Sequence, residues 1–214
     1  MSELLRFPVL DAIPFVNAAF LGRIPGIDVD CDREVALERL SSAHEQARAG
    51  LGFVGRLATC EQVHGNRVVV IDSTEAYPVG GCDGLVTKTR GLCLGIYVAD
   101  CAPVYLTDRL GRVVGLVHSG RKGTEGNIAE RAVVAMCEAG DVDAGDLVAV
   151  IGPCIRPPHY DVDFAAQIRA QLAEAGVGEI HDDRICTAAD PAGYYSYRRE
   201  QGKTGRMLAL LALV

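Results

Sequence analysis

Three side chains that can bind a metal ion stand at the ends of apolar runs, far apart in the sequence: His64, Cys101 and His118. Each one ends or follows a run with strand character and enters a loop, so neighbouring strands could bring all three to one edge of a sheet. Two imidazoles and one thiolate suit Zn²⁺, and three protein ligands leave the fourth coordination position open, as in catalytic sites. The spacing matches no short metal-binding motif, and two hydrogen-bonded histidines with an unreactive buried cysteine are the alternative interpretation.

A turn that could bind an anion follows the second histidine, at His118-Ser-Gly-Arg-Lys-Gly-Thr124, directly before a predicted helix. Free backbone N–H groups at a helix N-terminus attract anions, and the charges of Arg121 and Lys122 add to that attraction. The turn is not a phosphate-binding P-loop, because Arg-Lys stands where that motif requires Lys followed by Ser or Thr. A solvent-exposed turn with two surface charges is the alternative.

Other polar residues stand close to these loops. Asp100 precedes Cys101, and Asp83 lies in a glycine-rich turn; either could orient a ligand histidine or transfer a proton, although turns often contain aspartate for local reasons. Cys154, in Gly-Pro-Cys, is expected to be a buried structural thiol. Residues 194–199 and 202–206 add cations that could close over an anion or a base, or form an ordinary charged surface.

The elements that must position these residues are short strands and three helices. Strands are predicted at residues 54–60, 67–71, 85–87, 92–98, 104–107, 112–117, 147–151 and 207–214. Helices are predicted at residues 34–49, ended by Gly50; at 125–139, with Thr124 as N-cap and Gly140 at the end; and up to about 175, with Asp163 as N-cap and Gly176 at the end. Most strands follow one another directly, which predicts a single α+β domain over residues 1–214, with helices packed on mixed or antiparallel sheets.

Composition excludes several classes of protein. The chain has 214 residues, 49% of them hydrophobic, and its 21 basic and 28 acidic side chains give a net charge of −7. An acidic chain without basic blocks is a poor match for nucleic acid or an anionic membrane surface, and no apolar run is long enough to span a bilayer. The N-terminal stretch lacks the basic start of a signal peptide, and the eight cysteines include no CxxC pair. We therefore expect a cytoplasmic protein with reduced cysteines, either a monomer or a weak homo-oligomer.

Seven short motifs occur in an order that resembles one known family: QVHG, CDGLVT, VADCAPVYL, VHSG followed by Gly123, IGPCI with HYDV, YSYRR and TGRM. The family is that of the purine nucleoside phosphorylases formerly described as polyphenol oxidase or laccase-domain proteins, which includes the bacterial peptidoglycan editing factor. The match runs from about Ala58 to the C-terminus. Each motif alone is weak, but the seven in order are specific.

The resemblance implies an α+β fold and a zinc ion, rather than copper, held by His64, Cys101 and His118. It implies phosphorolysis of adenosine, inosine, guanosine or methylthioadenosine, and deamination of adenosine, with a purine nucleoside and phosphate as the small-molecule partners. For phosphate, the candidate binding groups are the amides of Gly120 and Gly123 together with three cations. These cations are Arg121, Lys122 and Arg206. Asp100 is the candidate for an acid–base role beside the metal ligands.

The sequence departs from the family pattern at two places. The family's third loop usually reads His-Ala-Gly-Trp-Arg-Gly, whereas this chain has Arg121 and Lys122 in place of the Trp-Arg pair and contains no tryptophan. The family's N-terminal Thr-Arg-x-Gly-Gly-x-Ser loop is replaced by the sequence of residues 17–23. Both departures bear on substrate choice and leave the three metal ligands unchanged.

Three other functions are compatible with parts of this pattern. The chain could act on peptidoglycan precursors, or it could be a metal- or nucleoside-binding protein with weak catalysis. Oxidation of phenols by a multicopper cluster is disfavoured, because the five histidines include no His-x-His pair. Release of a purine base from a nucleoside distinguishes the phosphorylase from all three.

Overall fold

The computed structural model describes residues 4–53 and 55–214. Its strands are β1 (Leu4–Leu5), β2 (Val16–Leu21), β3 (Leu57–Thr59), β4 (Val68–Ile71), β5 (Gly84–Thr87), β6 (Cys93–Val98), β7 (Ala102–Asp108), β8 (Val114–Ser119), β9 (Leu147–Ile151), β10 (Glu179–Asp182) and β11 (Met207–Leu213). Its α-helices are α1 (Pro8–Asp11), α2 (Arg33–Gly50), α3 (Arg121–Glu125), α4 (Ile128–Gly140) and α5 (Phe164–Glu174), and a 3-10 turn spans Ala144–Asp146.

The strands form two mixed sheets. The first has the order β1-β2-β11-β6-β3, and the second has the order β10-β9-β7-β8-β5-β4. Most neighbours are antiparallel, and the pairs β3–β6, β4–β5 and β9–β10 are parallel. The chain passes from the first sheet to the second between β3 and β4 and again between β6 and β7, so both of these loops lie where the sheets meet.

Alternating side chains on the strands build a layered core. On β6, Leu94 and Ile96 face the second sheet, while Cys93 and Tyr97 face the opposite way with the C-terminal part of α2. The other face of the second sheet packs against α4 and α5 in a separate apolar cluster. The layers are therefore helix, sheet, sheet and helices, and the predicted α+β class is confirmed.

Two of the three predicted helices form where the sequence indicates, and one is interrupted. The helix predicted at residues 34–49 is α2, and Asp163 caps α5 by accepting a hydrogen bond from the amide of Ala166 at 2.9 Å. The prediction that Thr124 caps the second helix is wrong, because Thr124 lies inside α3 and its hydroxyl donates to the Gly120 carbonyl. The chain breaks instead at Asn127, whose φ of 56° lies in the left-handed region, and α4 starts after it.

Predicted strands match the observed ones within a few residues, except at the N-terminus and near residue 180. The first predicted run starts at Val54, which lies outside the described residues, and pairing there is observed over Leu57–Thr59. β2 and β10 were not predicted from the sequence. Among the helices described, none is long and apolar enough to cross a membrane.

Candidate metal centre and substrate cleft

The loop between β3 and β4 presents His64 through a backbone conformation that few residues adopt. Both Gln62 and His64 have φ close to 60°, a region that costs a non-glycine residue about 1 kcal/mol or more. The Gln62 side chain offsets part of this cost by donating to the Tyr97 carbonyl at 2.6 Å and accepting from the Tyr97 amide at 3.0 Å. The loop is thereby attached to the end of β6, close to Cys101.

Asp83 connects the two histidines. Its carboxylate accepts hydrogen bonds from the backbone amides of His64 and Gly65, both at 2.8 Å, and lies 2.9 Å from Nδ1 of His118. Asp83 is completely buried, and an ionised carboxylate only accepts, so Nδ1 of His118 carries the proton and Nε2 is left for a metal ion. Of the two aspartates that the sequence offered for orienting a ligand histidine, Asp83 makes the contact.

Asp100 and Cys101 lie where the chain crosses from β6 to β7. Asp100 has a φ of 82°, and its carboxylate accepts hydrogen bonds from the hydroxyls of Thr187 and Ser196 and from the amide of Arg198. With both carboxylate oxygens engaged, Asp100 fixes the C-terminal loop against the Cys101 turn. Its predicted acid–base role stays a prediction, and a positioning role is what these contacts provide directly.

The three predicted ligands converge. The ligand atoms of His64, Cys101 and His118 all lie within 4.8 Å of one another, and the two imidazole rings meet edge to face with centroids 4.8 Å apart. The separation of the ligand atoms is comparable to twice a Zn–N or Zn–S bond of about 2.0–2.3 Å, so one ion between them could reach all three. In residues 4–53 and 55–214, this is the one group of three or more His, Cys, Asp or Glu side chains arranged to hold a metal ion. The donor set fits one borderline-soft divalent ion.

The electrostatics of the centre favour a deprotonated thiol. Burial by itself raises the pKa of the Cys101 thiol, but the charge of His118 and hydrogen bonds with both imidazoles outweigh burial and lower the pKa. Burial likewise lowers the pKa of His118, and the opposing effects of Cys101 and Asp83 raise it above its ordinary value. A thiolate is the form of cysteine that binds metals, so the geometry prepares Cys101 as a ligand.

Gly120 and Gly123 serve close packing around this centre. A Cβ on Gly120 would lie 2.7 Å from Sγ of Cys101, and one on Gly123 would lie 2.9 Å from the Gly65 carbonyl. Neither glycine is among the residues that line the cleft in the described part of the chain. Their predicted contribution of amides to a phosphate site stays a prediction, and their lack of a side chain has a packing explanation.

The metal ligands open into a cleft of about 920 Å³. Five cations and four aromatic rings contribute to its lining, together with Asp32 and Asp100. The cations are Arg33, Arg121, Lys122, Arg198 and Arg206, and the aromatic residues are Tyr97, Tyr160, Phe164 and Tyr197. Such a combination of flat apolar surface and excess positive charge suits a ligand with an aromatic part and an anionic part.

Sequence reasoning named three of these cations and missed two. Arg121 and Lys122 line the cleft, and Arg206, which is 8% exposed, reaches it from the start of β11. Their predicted role in binding phosphate stays a prediction. Arg33 was missed, because a single arginine at the first position of a helix has no distinguishing signal. Arg198 belongs to the Tyr-Arg-Arg stretch that the sequence flagged without assigning it to a site.

Cys154 belongs to the apolar cluster between the second sheet and helices α4 and α5. All eight thiols are free, and Cys154 is fully buried, which raises its pKa. The prediction that Cys154 is a buried structural thiol is confirmed.

Several known proteins are similar to this chain in sequence. The chain is 34% identical to a purine nucleoside phosphorylase of Deinococcus radiodurans, with 98% of this chain and 92% of that protein covered. It is 32% identical over 190 residues to a purine nucleoside phosphorylase of Mycobacterium tuberculosis strain H37Rv, covering 76% of this chain and 75% of the relative.

Solved structures share the architecture. The crystal structure of YlmD from Geobacillus stearothermophilus superposes with a TM-score of 0.84 at 26% identity, covering 94% of this chain and 93% of that one. A Neisseria meningitidis protein, 23% identical, has the same fold with a TM-score of 0.84. The family model described as multi-copper polyphenol oxidoreductase laccase matches residues 29–166 and 159–214. The resemblance carried by the seven motifs is confirmed, and the chain belongs to this laccase-like family.

Proposed function

We propose that this protein is a purine nucleoside phosphorylase that holds one zinc ion with His64, Cys101 and His118. The convergence of these ligands in a cleft lined by cations and aromatic rings is the observation that carries the proposal. The names of the relatives at 32% and 34% identity support the same reaction class. In the reaction, a phosphate oxygen forms a bond to C1′ of the ribose while the bond from C1′ to N9 breaks, giving ribose 1-phosphate and the free base.

The chain's own residues account for binding and orientation. Asp83 holds His118 in the tautomer that leaves Nε2 free and fixes the backbone of His64, so the centre is preorganised. Aromatic side chains such as Tyr160 and Tyr197 offer flat apolar surface to the purine, and the cationic side chains attract phosphate. A zinc ion held by these three ligands would supply Lewis acidity and could activate a water molecule, and this is the basis for including hydrolytic deamination of adenosine as a second reaction.

Zinc is preferred to copper on the chemistry of the donors. Two imidazoles and one thiolate form a three-ligand set with an open fourth position, the arrangement of catalytic zinc sites. A multicopper centre needs further groups of ligands, and the described residues provide the single group around Cys101. The "multi-copper" part of the family description therefore does not carry over to the proposal.

Base release tests the proposed reaction. Purified protein is incubated with adenosine, inosine or methylthioadenosine, with and without phosphate, and bases and ribose 1-phosphate are separated by chromatography. We expect phosphate-dependent release of base that the variant His64→Ala lowers at least a hundredfold, while His181→Ala, at an exposed histidine paired with Glu179, keeps normal activity. Absence of base from all three nucleosides would refute the phosphorylase and favour another substrate, such as a peptidoglycan precursor.

Elemental analysis tests the metal. We expect about one zinc per chain in the protein as purified, and loss of most of it in Cys101→Ser. The control Cys137→Ser changes a partly buried thiol on α4 and should retain the ion. Copper at equal occupancy, or zinc that persists in Cys101→Ser, would contradict the proposed centre.

A further inference from the structure

The cations of the cleft differ in the partners that the protein gives them. Nε of Arg121 donates to Glu125 at 2.8 Å, and the Arg121 side chain is 58% exposed. The guanidinium of Arg198 lies over the ring of Tyr160, 5.6 Å from its centroid. Arg121, Lys122 and Arg198 are all exposed to solvent, which screens their charges, so they are less suited to a dedicated anion site.

Arg206 has N–H groups that the protein leaves without an acceptor. Its Nη1 donates to the carbonyls of Thr204 and Gly205 at 2.6 and 3.0 Å, which fixes the guanidinium in place. The guanidinium also lies over the ring of Tyr197, 6.0 Å from its centroid. Within the described chain, Nε and Nη2 have no hydrogen-bond acceptor and the guanidinium has no carboxylate within 4 Å. A buried cation without a carboxylate partner is costly, which is a reason to look for a ligand of opposite charge.

Arg33 is the second such cation. It is half-buried, lines the same cleft, and has no hydrogen bond or ion pair with a described residue. It is also the first residue of α2, an 18-residue helix whose N-terminal end carries a partial positive charge. Burial lowers the pKa of Arg206 and the like charge of Arg33 lowers it further, while Tyr197, Cys101 and Asp100 act in the opposite direction without cancelling the decrease.

Neither carboxylate in the cleft forms an ion pair with Arg33 or Arg206, although the charge of Asp100 offsets part of the repulsion at Arg206. Asp100 uses its oxygens for the Thr187 and Ser196 hydroxyls and the Arg198 amide. Asp32 lies more than 4 Å from both guanidinium groups and remains exposed. An anion that binds between the two arginines would supply the missing negative charge.

We propose that Arg33 and Arg206 form a subsite for a phosphoryl group. Two guanidinium forks provide more donors than one planar carboxylate can accept, whereas the oxygens of a tetrahedral phosphoryl group can accept from both. Arg206 directly precedes Met207, which pairs with Val98 near the Cys101 turn, so the subsite adjoins the metal centre within one cleft. The phosphoryl group could come from inorganic phosphate or from a phosphorylated nucleoside. The choice of inorganic phosphate rests on the proposed function, and the experiment separates the two sources.

The test compares full-length variants at residue 33, because Arg206 is buried and its substitution would also disturb packing. Arg33→Gln removes the charge and keeps most of the side chain, Arg33→Lys restores the charge, and Arg39→Gln removes an exposed arginine elsewhere on α2 that pairs with Asp28. Binding of inorganic phosphate and of a purine nucleoside 5′-monophosphate is measured by titration calorimetry at constant ionic strength. Binding of the unphosphorylated nucleoside is measured in parallel.

We expect Arg33→Gln to weaken binding of inorganic phosphate about tenfold or more, with partial recovery in Arg33→Lys and no change in Arg39→Gln. Nucleoside binding should stay within twofold. Weakened binding of the monophosphate alone would support the same subsite with a phosphorylated nucleoside as its ligand. If Arg33→Gln binds both phosphorylated probes like the wild type, or if the wild type binds neither, the subsite is wrong.

The outcome is independent of the proposed reaction. Phosphate binding that depends on Arg33 in a protein that releases no base would keep the subsite and reject the phosphorylase. Normal kinetics for phosphate in Arg33→Gln, in a protein that does release base, would reject the subsite and keep the phosphorylase.

Discussion

Replacing Asp83 by asparagine should weaken metal binding through the two histidines that it holds. The carboxylate accepts three hydrogen bonds, from the amides of His64 and Gly65 and from Nδ1 of His118, at 2.8, 2.8 and 2.9 Å. Asparagine has one acceptor oxygen, so its NH₂ group must face at least one of these N–H donors. The His118 ring then loses its fixed tautomer, or the His64 loop loses an anchor.

The size of the effect follows from these contacts. Loss of a carboxylate behind a ligand histidine typically lowers metal affinity 10- to 100-fold, which is about 1.4–2.7 kcal/mol. Because Asp83 is completely buried, the protein without metal should also lose roughly 2–4 kcal/mol of its free energy of unfolding. Both quantities should fall in Asp83→Asn.

A matched variant separates these two effects. Asp108 is also completely buried and accepts hydrogen bonds from the amides of Leu110, Arg112 and Val113, but it does not line the cleft. Asp108→Asn should therefore cost similar stability and leave metal affinity unchanged. Zinc affinity is measured by competition with a chelating dye, and stability by urea unfolding. Equal zinc affinities in Asp83→Asn and the wild type would refute the role assigned to Asp83.

Three further outcomes are expected. Gly120→Ala should lower zinc content and activity, because the new Cβ would lie 2.7 Å from Sγ of Cys101. Metal analysis and activity assays check this, with Gly145→Ala as the control, since a Cβ on Gly145 would have no atom within 4 Å. Burial lowers the pKa of His44 from 6.5 to about 4, so the folded protein binds this proton less readily than the unfolded chain does. The free energy of unfolding should therefore fall by about 3 kcal/mol as the pH falls from 6.5 to 4. Urea unfolding of His44→Leu should show a smaller dependence on pH over this range. Burial raises the pKa of Asp183 to about 7, so the folded protein favours the protonated carboxyl and its free energy of unfolding declines as the pH rises from about 4 to 7. In urea unfolding at pH 8, Asp183→Asn should be more stable than the wild type by roughly 2 kcal/mol. A less stable variant would contradict this.

Local patterns in the sequence were sufficient for the elements that depend on neighbouring residues. The apolar face and the terminating glycines of α2, and the Asp163 cap of α5, are signals confined to a few turns of helix, and both helices form as predicted. Where the local signal for a helix start is weak, tertiary packing determined where the helix begins. Thr124 is a good capping residue, yet the chain turns at Asn127, whose side chain lies 2.5 Å from Glu130 while Thr124 bonds back to Gly120.

β2 and β10 were missed because their own sequences carry little strand signal: β2 reads Val-Asn-Ala-Ala-Phe-Leu and β10 reads Glu-Ile-His-Asp. β2 pairs with the C-terminal strand β11 along its whole length, and β10 pairs in parallel with β9 across the intervening helix α5. Neither strand shows the alternation that marks a half-buried strand, since most of β2 is buried on both faces.

The sequence by itself determined the chemistry of the centre: three side chains of the right types at the ends of strands, and a family resemblance strong enough to assign them together. Only the tertiary structure decided which aspartate supports them and which cations share their cleft. Asp83 contacts His118 because β5 pairs with β8, and Arg33 and Arg206 line the same cleft because α2 and β11 both begin there. Hydrogen bonds and charges act over a few ångströms in space, so residues far apart in the chain acquire these roles only when the two sheets have packed.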